Sequence, residues 1–165
     1  NNDTIVDSNI LINFNNAKEK YGSNNIYGGK IFYKKHPEKI WYAGGRIKLS
    51  ILKIFHIGIR KMDDQRFSIP MKTDYITGCC LFTSLEVINF LNGFDEQFNM
   101  YAEDVDFCLR AKDEGIYSYF WPDVKLWHYV SGSIGGELSF RKFFKKNISI
   151  LKLYKKHILN KKLLK

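Results

Sequence analysis

The sequence contains few of the features that mark secreted, zinc-binding or membrane-spanning proteins. It has three cysteines in 165 residues, Cys79, Cys80 and Cys108. Their odd number and their spacing predict neither a disulfide framework nor a zinc site. No run of about 18 apolar residues occurs, and the opening NNDTIVDSNI has neither a basic start nor an apolar core, so no membrane span or signal peptide is predicted. These absences favour a reducing, cytoplasmic setting.

The residues that build a core are abundant. Hydrophobic residues make up 45% of the chain and aromatic residues 16%, enough at this length for one domain with a buried interior. Strand-like and helix-like segments alternate without an internal repeat. This alternation predicts an α/β domain with a mixed sheet.

Apolar residues at helical spacing predict three helices in the body of the chain. They cover 10–21, 85–91 and 103–114, with Ser8 and Ser84 as N-caps and with stops at Gly22, Asn92-Gly93 and Gly115. Runs of β-branched and aromatic residues predict strands. These are 25–35, 39–49 with a Gly-Gly bend, 73–83, 116–121 closed by Pro122, and 124–129 before the glycine-rich 131–136. Residues 49–73 are expected to be mostly loop.

Basic charge is concentrated at the C-terminal end. From Leu138 onward there are ten Lys or Arg and no acidic residue, whereas residues 1–137 carry 16 basic and 17 acidic residues. We therefore divide the chain into a body, 1–137, and a basic helical tail, 138–165. The amphipathic tail suits an anionic membrane surface, or a terminal helix docked on the core with a solvated lysine face. Nucleic-acid binding is not predicted, because no recognised nucleic-acid module accompanies the charge.

The segment YAEDVDFCLR, residues 101–110, places a carboxylate on the apolar side of a helix. At 100° per residue, Asp104 falls in the apolar sector beside Cys108, whereas Glu103 and Asp106 fall on the polar side. One explanation is a capping role at the helix start. The other is a carboxylate that faces a cleft and serves in proton transfer or cation binding. Asp106 is interpreted as a cap or salt-bridge partner.

Several motifs occur in an order that resembles a known family. They are Gly78 at the end of an apolar segment, Gly-Phe-Asp-Glu at 93–96, Glu-Asp-x-Asp at 103–106, Trp127-His128, and IWYAGGRI upstream. The combination resembles the second half of family 2 glycosyltransferases of the GT-A fold, especially the rhamnosyltransferase-like members. The opening NNDT resembles the segment that replaces the Asp-x-Asp motif in that family. The resemblance implies a GT-A-like mixed sheet flanked by helices and a C-terminal portion that lacks most of the nucleotide-binding half.

The resemblance also assigns roles to residues. It implies an Mn²⁺ or Mg²⁺ ion that neutralises a departing pyrophosphate, with Asp3 as first ligand and His128 as second. Asp104 matches the family's catalytic base, and Glu103, Gly78 and Trp127 are expected to contact substrate. Read without the resemblance, Asp3 is a turn or cap residue and His128 a half-buried ring beside Trp127.

The expected function is transfer of a sugar, with inversion, from a nucleotide-diphosphate donor to a glycan or lipid-linked acceptor. The expected location is the cytoplasm, with peripheral association at the inner face of the cell membrane through the tail. A non-catalytic fragment that binds an acceptor or a membrane surface is the alternative. Paired carboxylates also serve glycoside hydrolysis, but that reaction does not call for the Asn-Asn-Asp segment or a histidine near a metal.

Overall fold

The computed structural model describes residues 2–98, 101–129 and 137–159, with the side chains of 137–142 left out. The helices are α1 (Ile10–Tyr21), α2 (Leu85–Phe90), α3 (Glu103–Asp113) and α4 (Glu137–Tyr154), which continues as a π-helical turn at Lys155–Leu159. The strands are β1 (Thr4–Val6), β2 (Ile26–Tyr33), β3 (His36–Tyr42), β4 (Gly45–Lys48), β5 (Lys53–His56), β6 (Met71–Thr73) and β7 (Ser118–His128).

A five-stranded mixed sheet organises the fold, in the order β1-β7-β2-β3 with β6 also paired to β7. Strand β7 is central. It runs parallel to β2 along one edge, and on the other edge it pairs antiparallel with β6 near its start and with β1 near its end. Strands β4 and β5 form a separate hairpin. The prediction of a mixed sheet flanked by helices is confirmed.

The predicted break at Pro122 is wrong, because 116–121 and 124–129 belong mostly to one continuous strand. Gly29 pairs with Trp121 and the next residue, Lys30, pairs with Lys125, so residues 122–124 bulge out of the ladder. Proline lacks an N–H to donate, and a bulge is where a strand tolerates that loss. The side-chain amide of Asn13 on α1 donates to the carbonyl of Asp123 at 2.7 Å and so fastens this bulge.

Two other segments differ from expectation. The predicted strand at 73–83 contains the end of β6, two isolated bridges, from Tyr75 to Gly45 and from Phe82 to Tyr27, and a 3-10 turn at Gly78–Cys80. The apolar residues of this segment reflect burial and not strand formation, since Tyr75 is 2% exposed and Ile76 is fully buried. The expected loop at 49–73 instead contains β5 and β6. Local sequence pattern does not reveal them, because β5 pairs with the short strand β4 and β6 pairs with β7, which is distant in sequence.

Helix boundaries are mostly confirmed. The Ser84 hydroxyl caps α2 by accepting from Val87 N at 3.3 Å, and Gly22 and Gly93 have positive φ angles after α1 and α2. Ser8 is wrong as a cap, since Asn9 occupies that position without a side-chain cap bond. The Asp7 carboxylate instead accepts from Asn9 N at 2.9 Å.

Helix α4 docks on the body of the protein through one face. Leu153 is fully buried in the main hydrophobic core and Ile150 is 8% exposed. This is the packing expected of a terminal helix with a solvated opposite face. Among the described residues, no helix is both long enough and apolar enough to cross a membrane. The glycine-rich segment 131–136 and the last tail residues, 160–165, lie outside the described residues.

Candidate active site

A cavity of about 700 Å³ opens beside the N-terminal end of α3. Its walls come mainly from the start of α3, the loop at 75–79, strands β3 and β5, and α4, which contributes Lys146 and Ile150. The end of β7 adds His128. The structure therefore brings Asp104, Glu103, Gly78 and His128, four of the six predicted site residues, to one cavity.

Asp104 is half-buried and its carboxylate is tied at both oxygens. Oδ2 accepts from the backbone N of Gly78 at 2.8 Å, and Oδ1 accepts from the backbone N of Val105 at 2.8 Å. Burial raises the pKa of Asp104 above its ordinary value, although these hydrogen bonds act to lower it. A carboxylate whose proton affinity is increased and whose position is fixed is suited to accept a proton from a neighbouring hydroxyl.

The backbone before α3 explains why this carboxylate faces the cavity. Tyr101 and Ala102, both non-glycine residues, adopt left-handed conformations with φ of 70° and 74°. Two such residues in succession are unfavourable and occur where surrounding structure enforces a sharp turn. The turn directs the chain into α3 at Glu103 with both acidic side chains against the cavity. Side-chain capping is absent at Ala102, so Asp104 bonds backbone groups at Gly78 and Val105 instead.

Glu103 has an unsatisfied oxygen. Its Oε2 is buried and has no hydrogen-bond partner among the described residues. Burial raises the pKa of Glu103, and the negative charge of Asp104 adds to the rise. A buried carboxylate oxygen without a donor is costly, and protonation lessens this cost, in agreement with the raised pKa of Glu103.

Asp3 and His128 meet because β1 pairs with the end of β7, where Thr4 lies opposite His128. Asp3 Oδ2 lies 3.0 Å from His128 Nε2, and the other ring nitrogen, Nδ1, is buried without a partner among the described residues. Two ligands about 2.1 Å from one octahedral ion in cis positions are separated by about 3.0 Å. The pair forms a hydrogen bond in this structure and also has the spacing of two cis ligands, but no group of three metal-ligating side chains forms within the described residues.

Gly78 and Trp127 have different positions. Gly78 lines the cavity, and a Cβ placed on it would lie 3.7 Å from the Cβ of Asp104, an ordinary contact. Trp127 lies on the opposite side of β7 from His128, where its ring stacks on Phe32 at 6.0 Å. The structure does not bring Trp127 to the cavity.

Sequence reasoning missed His56, which lies on β5 in the segment expected to be loop. His56 lines the cavity, and its Nδ1 lies 3.1 Å from the carbonyl oxygen of Trp41. Burial lowers the pKa of His56 to about 4, so the ring is neutral at ordinary pH. Only the apolar-polar pattern of KIFH, 53–56, gave a local signal, and it is too short to identify a strand.

Asp106 was placed on the polar side of the helix, but it is completely buried. Its salt-bridge role is confirmed: Oδ1 contacts Lys156 Nζ at 2.8 Å and His157 Nε2 at 2.7 Å, and Oδ2 accepts from Arg110 Nε at 2.8 Å. Burial would raise the pKa of Asp106, but the hydrogen bonds from His157, Lys156 and Arg110 together lower it to about 2.

The network around Asp106 connects three elements near the cavity. Arg110 also donates to the carbonyls of Leu91 and, at 2.6 Å, Gly93. Lys156 Nζ also bonds Asp95 Oδ2 at 2.6 Å. We call Asp106, Arg110, Lys156 and His157 the anchor cluster. It fastens the C-terminal helical segment and the loop after α2 to the helix that carries Asp104.

Comparison with known proteins gives partial matches. No protein-family model matches the chain. Over 78 residues, 46% of the chain, the sequence is 32% identical to the rhamnosyltransferase WbbL of Escherichia coli, and the match covers 30% of that protein. Over 61 residues, 37% of the chain, it is 33% identical to the N-acetylglucosaminyl-diphospho-decaprenol L-rhamnosyltransferase of Mycobacterium tuberculosis, covering 20% of it. The chain is therefore related to glycosyltransferases, and it spans under a third of these relatives.

Proposed function

We propose that the chain is the acceptor side of a glycosyltransferase that moves a sugar from a nucleotide-diphosphate donor to a glycan or lipid-linked acceptor. The observation that carries the proposal is Asp104, fixed by Gly78 and Val105 at a cavity wall with a raised pKa. The sequence relationship to two rhamnosyltransferases supports the same reaction class. The GT-A fold, a missing nucleotide-binding half and a family 2 membership are parts of this proposal.

Asp104 acts as the general base of an inverting transfer. It accepts the proton of an acceptor hydroxyl while that oxygen forms a bond to the anomeric carbon of the donor sugar. The bond from the anomeric carbon to the nucleoside diphosphate breaks, and the nucleoside diphosphate leaves with that electron pair. Holding the hydroxyl against a fixed carboxylate removes much of the entropic cost of this step. Glu103, which lines the same cavity, orients a second hydroxyl of the acceptor.

Asp3 and His128 are the residues that would hold a divalent cation. The hydrogen-bonded distance of 3.0 Å between Asp3 Oδ2 and His128 Nε2 matches the spacing of two cis ligands on one ion. Mg²⁺ and Mn²⁺ in nucleotide-dependent enzymes commonly take one or two protein ligands and complete their shell with phosphate oxygens and water. Such an ion would neutralise charge on the departing diphosphate. The chain supplies the two ligands and holds their spacing through the β1–β7 pairing.

The outer face of α4 is a surface for anionic membranes. Phe144, Ile148 and Leu151 are 60%, 43% and 53% exposed, and at 100° per residue they lie within about 60° of one another, opposite the buried Ile150 and Leu153. Lys145 and Lys152 border this stripe on one side. Exposed apolar side chains bordered by lysines suit the headgroup region of an anionic bilayer. The same surface would bring the cavity close to a lipid-linked acceptor.

Donor turnover tests the reaction. The protein expressed at its full natural length is assayed for nucleotide release from UDP-, dTDP- and GDP-sugars, with Mn²⁺ or with EDTA and with a crude glycan acceptor. We expect metal-dependent release from one donor and a loss of at least about 100-fold in the Asp104→Asn variant, the scale of general-base catalysis. Asp113→Asn, an exposed carboxylate at the other end of α3, is the matched control. Release that is unaffected by Asp104→Asn would overturn the proposal, and the non-catalytic binding function would then be favoured.

Retention on vesicles tests the membrane surface. We expect the protein to sediment with vesicles that contain anionic lipid at low salt and to be released at high salt. Ile148→Ser with Leu151→Ser should weaken retention, whereas Leu85→Ser, 66% exposed on α2, should not. Absence of retention at low salt would exclude this surface as a membrane contact.

A further inference from the structure

The cavity wall made by β3 and β5 has groups that the transfer reaction does not use. Trp41 at the end of β3 and His56 at the end of β5 both line the cavity that contains Asp104. Apolar side chains from the same hairpin region, Ile54 and Phe55, continue this wall. No role in proton transfer or cation binding accounts for a tryptophan and a histidine at this position.

His56 presents a hydrogen-bond acceptor. Its Nδ1 lies 3.1 Å from the carbonyl oxygen of Trp41, which can only accept, so Nδ1 carries the ring proton. A neutral imidazole protonated at Nδ1 has a lone pair at Nε2. Nε2 has no hydrogen-bond partner among the described residues, and unlike Glu103 Oε2 it is not fully buried. The lone pair is therefore accessible to a ligand from the cavity side.

Trp41 is held in a fixed orientation by its neighbours. The His56 ring meets the indole edge-on with centroids 4.5 Å apart, and the His128 ring does the same at 4.9 Å. Each such pair restrains the indole beyond what burial alone does. Trp41 is only half-buried, so part of this restrained ring faces the cavity. A tryptophan held this way offers a rigid apolar surface at little entropic cost.

Two acceptors and one aromatic surface in the same cavity define the chemistry of a ligand. Glu103 and His56 both line the cavity, His56 Nε2 lacks a donor among the described residues, and Trp41 supplies an apolar plane. A pyranose has hydroxyl groups that donate and a face of C–H groups that packs on aromatic rings. The carboxyl groups of Glu103 and Asp104 and the ammonium group of Lys146 line the same cavity, so charge alone does not select an anion or a cation. The acceptor groups and the apolar plane suit an uncharged sugar ring.

We propose that Trp41, His56 and Glu103 form a subsite for the accepting sugar ring, with one hydroxyl on His56 Nε2 and another on Glu103. This inference rests on the proposed function, because it names the ligand of the same cavity. In this subsite the β4–β5 hairpin, which contains His56, is the part of the chain that selects the acceptor. It requires no metal and no donor nucleotide for binding.

Sugar binding alone tests the subsite. A panel of methyl pyranosides, including the N-acetylglucosaminide, rhamnoside, glucoside and galactoside, is titrated into the full-length protein without nucleotide or metal and followed by saturation-transfer NMR and calorimetry. We expect at least one glycoside to bind. In His56→Phe, which keeps a ring but removes the acceptor, we expect affinity to fall about 5-fold, the scale of one lost hydrogen bond. Trp41→Ala should reduce affinity by about 10-fold or more.

Controls and a second variant keep the test decisive. His36→Phe on the exposed part of β3 and Trp127→Phe on the other face of β7 should bind as the unaltered protein does. His56→Gln, whose carbonyl oxygen can accept, should recover part of the affinity and so exclude a purely structural role. The subsite is overturned if no glycoside binds, if His56→Phe binds normally, or if the controls lose binding equally. Asp104-dependent nucleotide release with an acceptor KM unchanged by His56→Phe would overturn the subsite and leave the proposed function standing.

Discussion

Removing the charge of Asp106 should destabilise the protein strongly, although Asp106 makes no contact with the cavity. The substitution Asp106→Asn keeps the side-chain shape and leaves Arg110, Lys156 and His157 without their shared carboxylate. Removing one partner of a buried ion pair typically costs about 3–5 kcal/mol. The lowered pKa gives a second figure: a shift from 3.8 to about 2 corresponds to about 2 kcal/mol. Because Lys156 is 32% exposed and partly screened by solvent, we expect about 3 kcal/mol.

Urea unfolding at neutral pH measures this cost, and Asp95→Asn is the matched control. Asp95 shares Lys156 with Asp106, but its side chain is 18% exposed whereas that of Asp106 is fully buried, so its loss should cost less, about 1 kcal/mol. The stability that Asp106 contributes is present above pH 3.8 and is lost as the pH falls toward 2, because its folded pKa is lowered. That acid loss should be absent in Asp106→Asn. A free-energy change below about 1 kcal/mol, or an unchanged acid profile, would refute the central role of Asp106 in the anchor cluster.

Three further predictions address other parts of the molecule. Burial lowers the pKa of His56 from 6.5 to about 4, so the free energy of unfolding should fall as the pH drops below 6.5, by about 2.5 kcal/mol at pH 4.5. Urea unfolding should show a smaller fall in His56→Gln. An equal fall in both proteins would contradict the lowered pKa of His56. Gly28→Ala places a Cβ 2.3 Å from Ile76 Cγ2 and should lower the melting temperature by about 8 °C or more. Gly78→Ala, whose Cβ would lie at an ordinary contact distance, should change the melting temperature little. Similar shifts in the two variants would show that there is room for a side chain at Gly28. Calorimetry should detect Mn²⁺ binding that is weakened at least about 10-fold in Asp3→Asn, and equal binding by both proteins would remove Asp3 from the ligand set.

The sequence is most informative where one helix contains the whole pattern. Helical projection places Asp104 in the apolar sector without any knowledge of the rest of the fold, and in the structure Asp104 lines the cavity; its catalytic role stays a prediction. Asp106 was misjudged as lying on a polar face because its partners Lys156 and His157 come from about 50 residues further along the chain. Local periodicity contains no information about such a distant helix.

The wall residues of the cavity show a second limit. Trp127 and His128 are adjacent in sequence, yet alternation along β7 sends them to opposite faces. Which of the two reaches the cavity depends on the register with β1 and β2, and a sequence pattern that is apolar on both faces does not fix it. His56 was missed for a related reason, since β5 is four residues long and is stabilised by pairing with β4 rather than by its own composition.

The bulge in β7 has a consequence for changes in chain length. Beyond Lys125, inserting or deleting one residue would exchange the positions of Trp127 and His128, turning an indole toward the cavity and the imidazole away from Asp3. Residues 122–124 face no partner on β2, so an added residue there leaves the pairing on both sides intact. The bulge thus separates two independently registered halves of one strand. We expect relatives of this chain to vary in length at 122–124 and to keep a fixed count from Lys125 to His128.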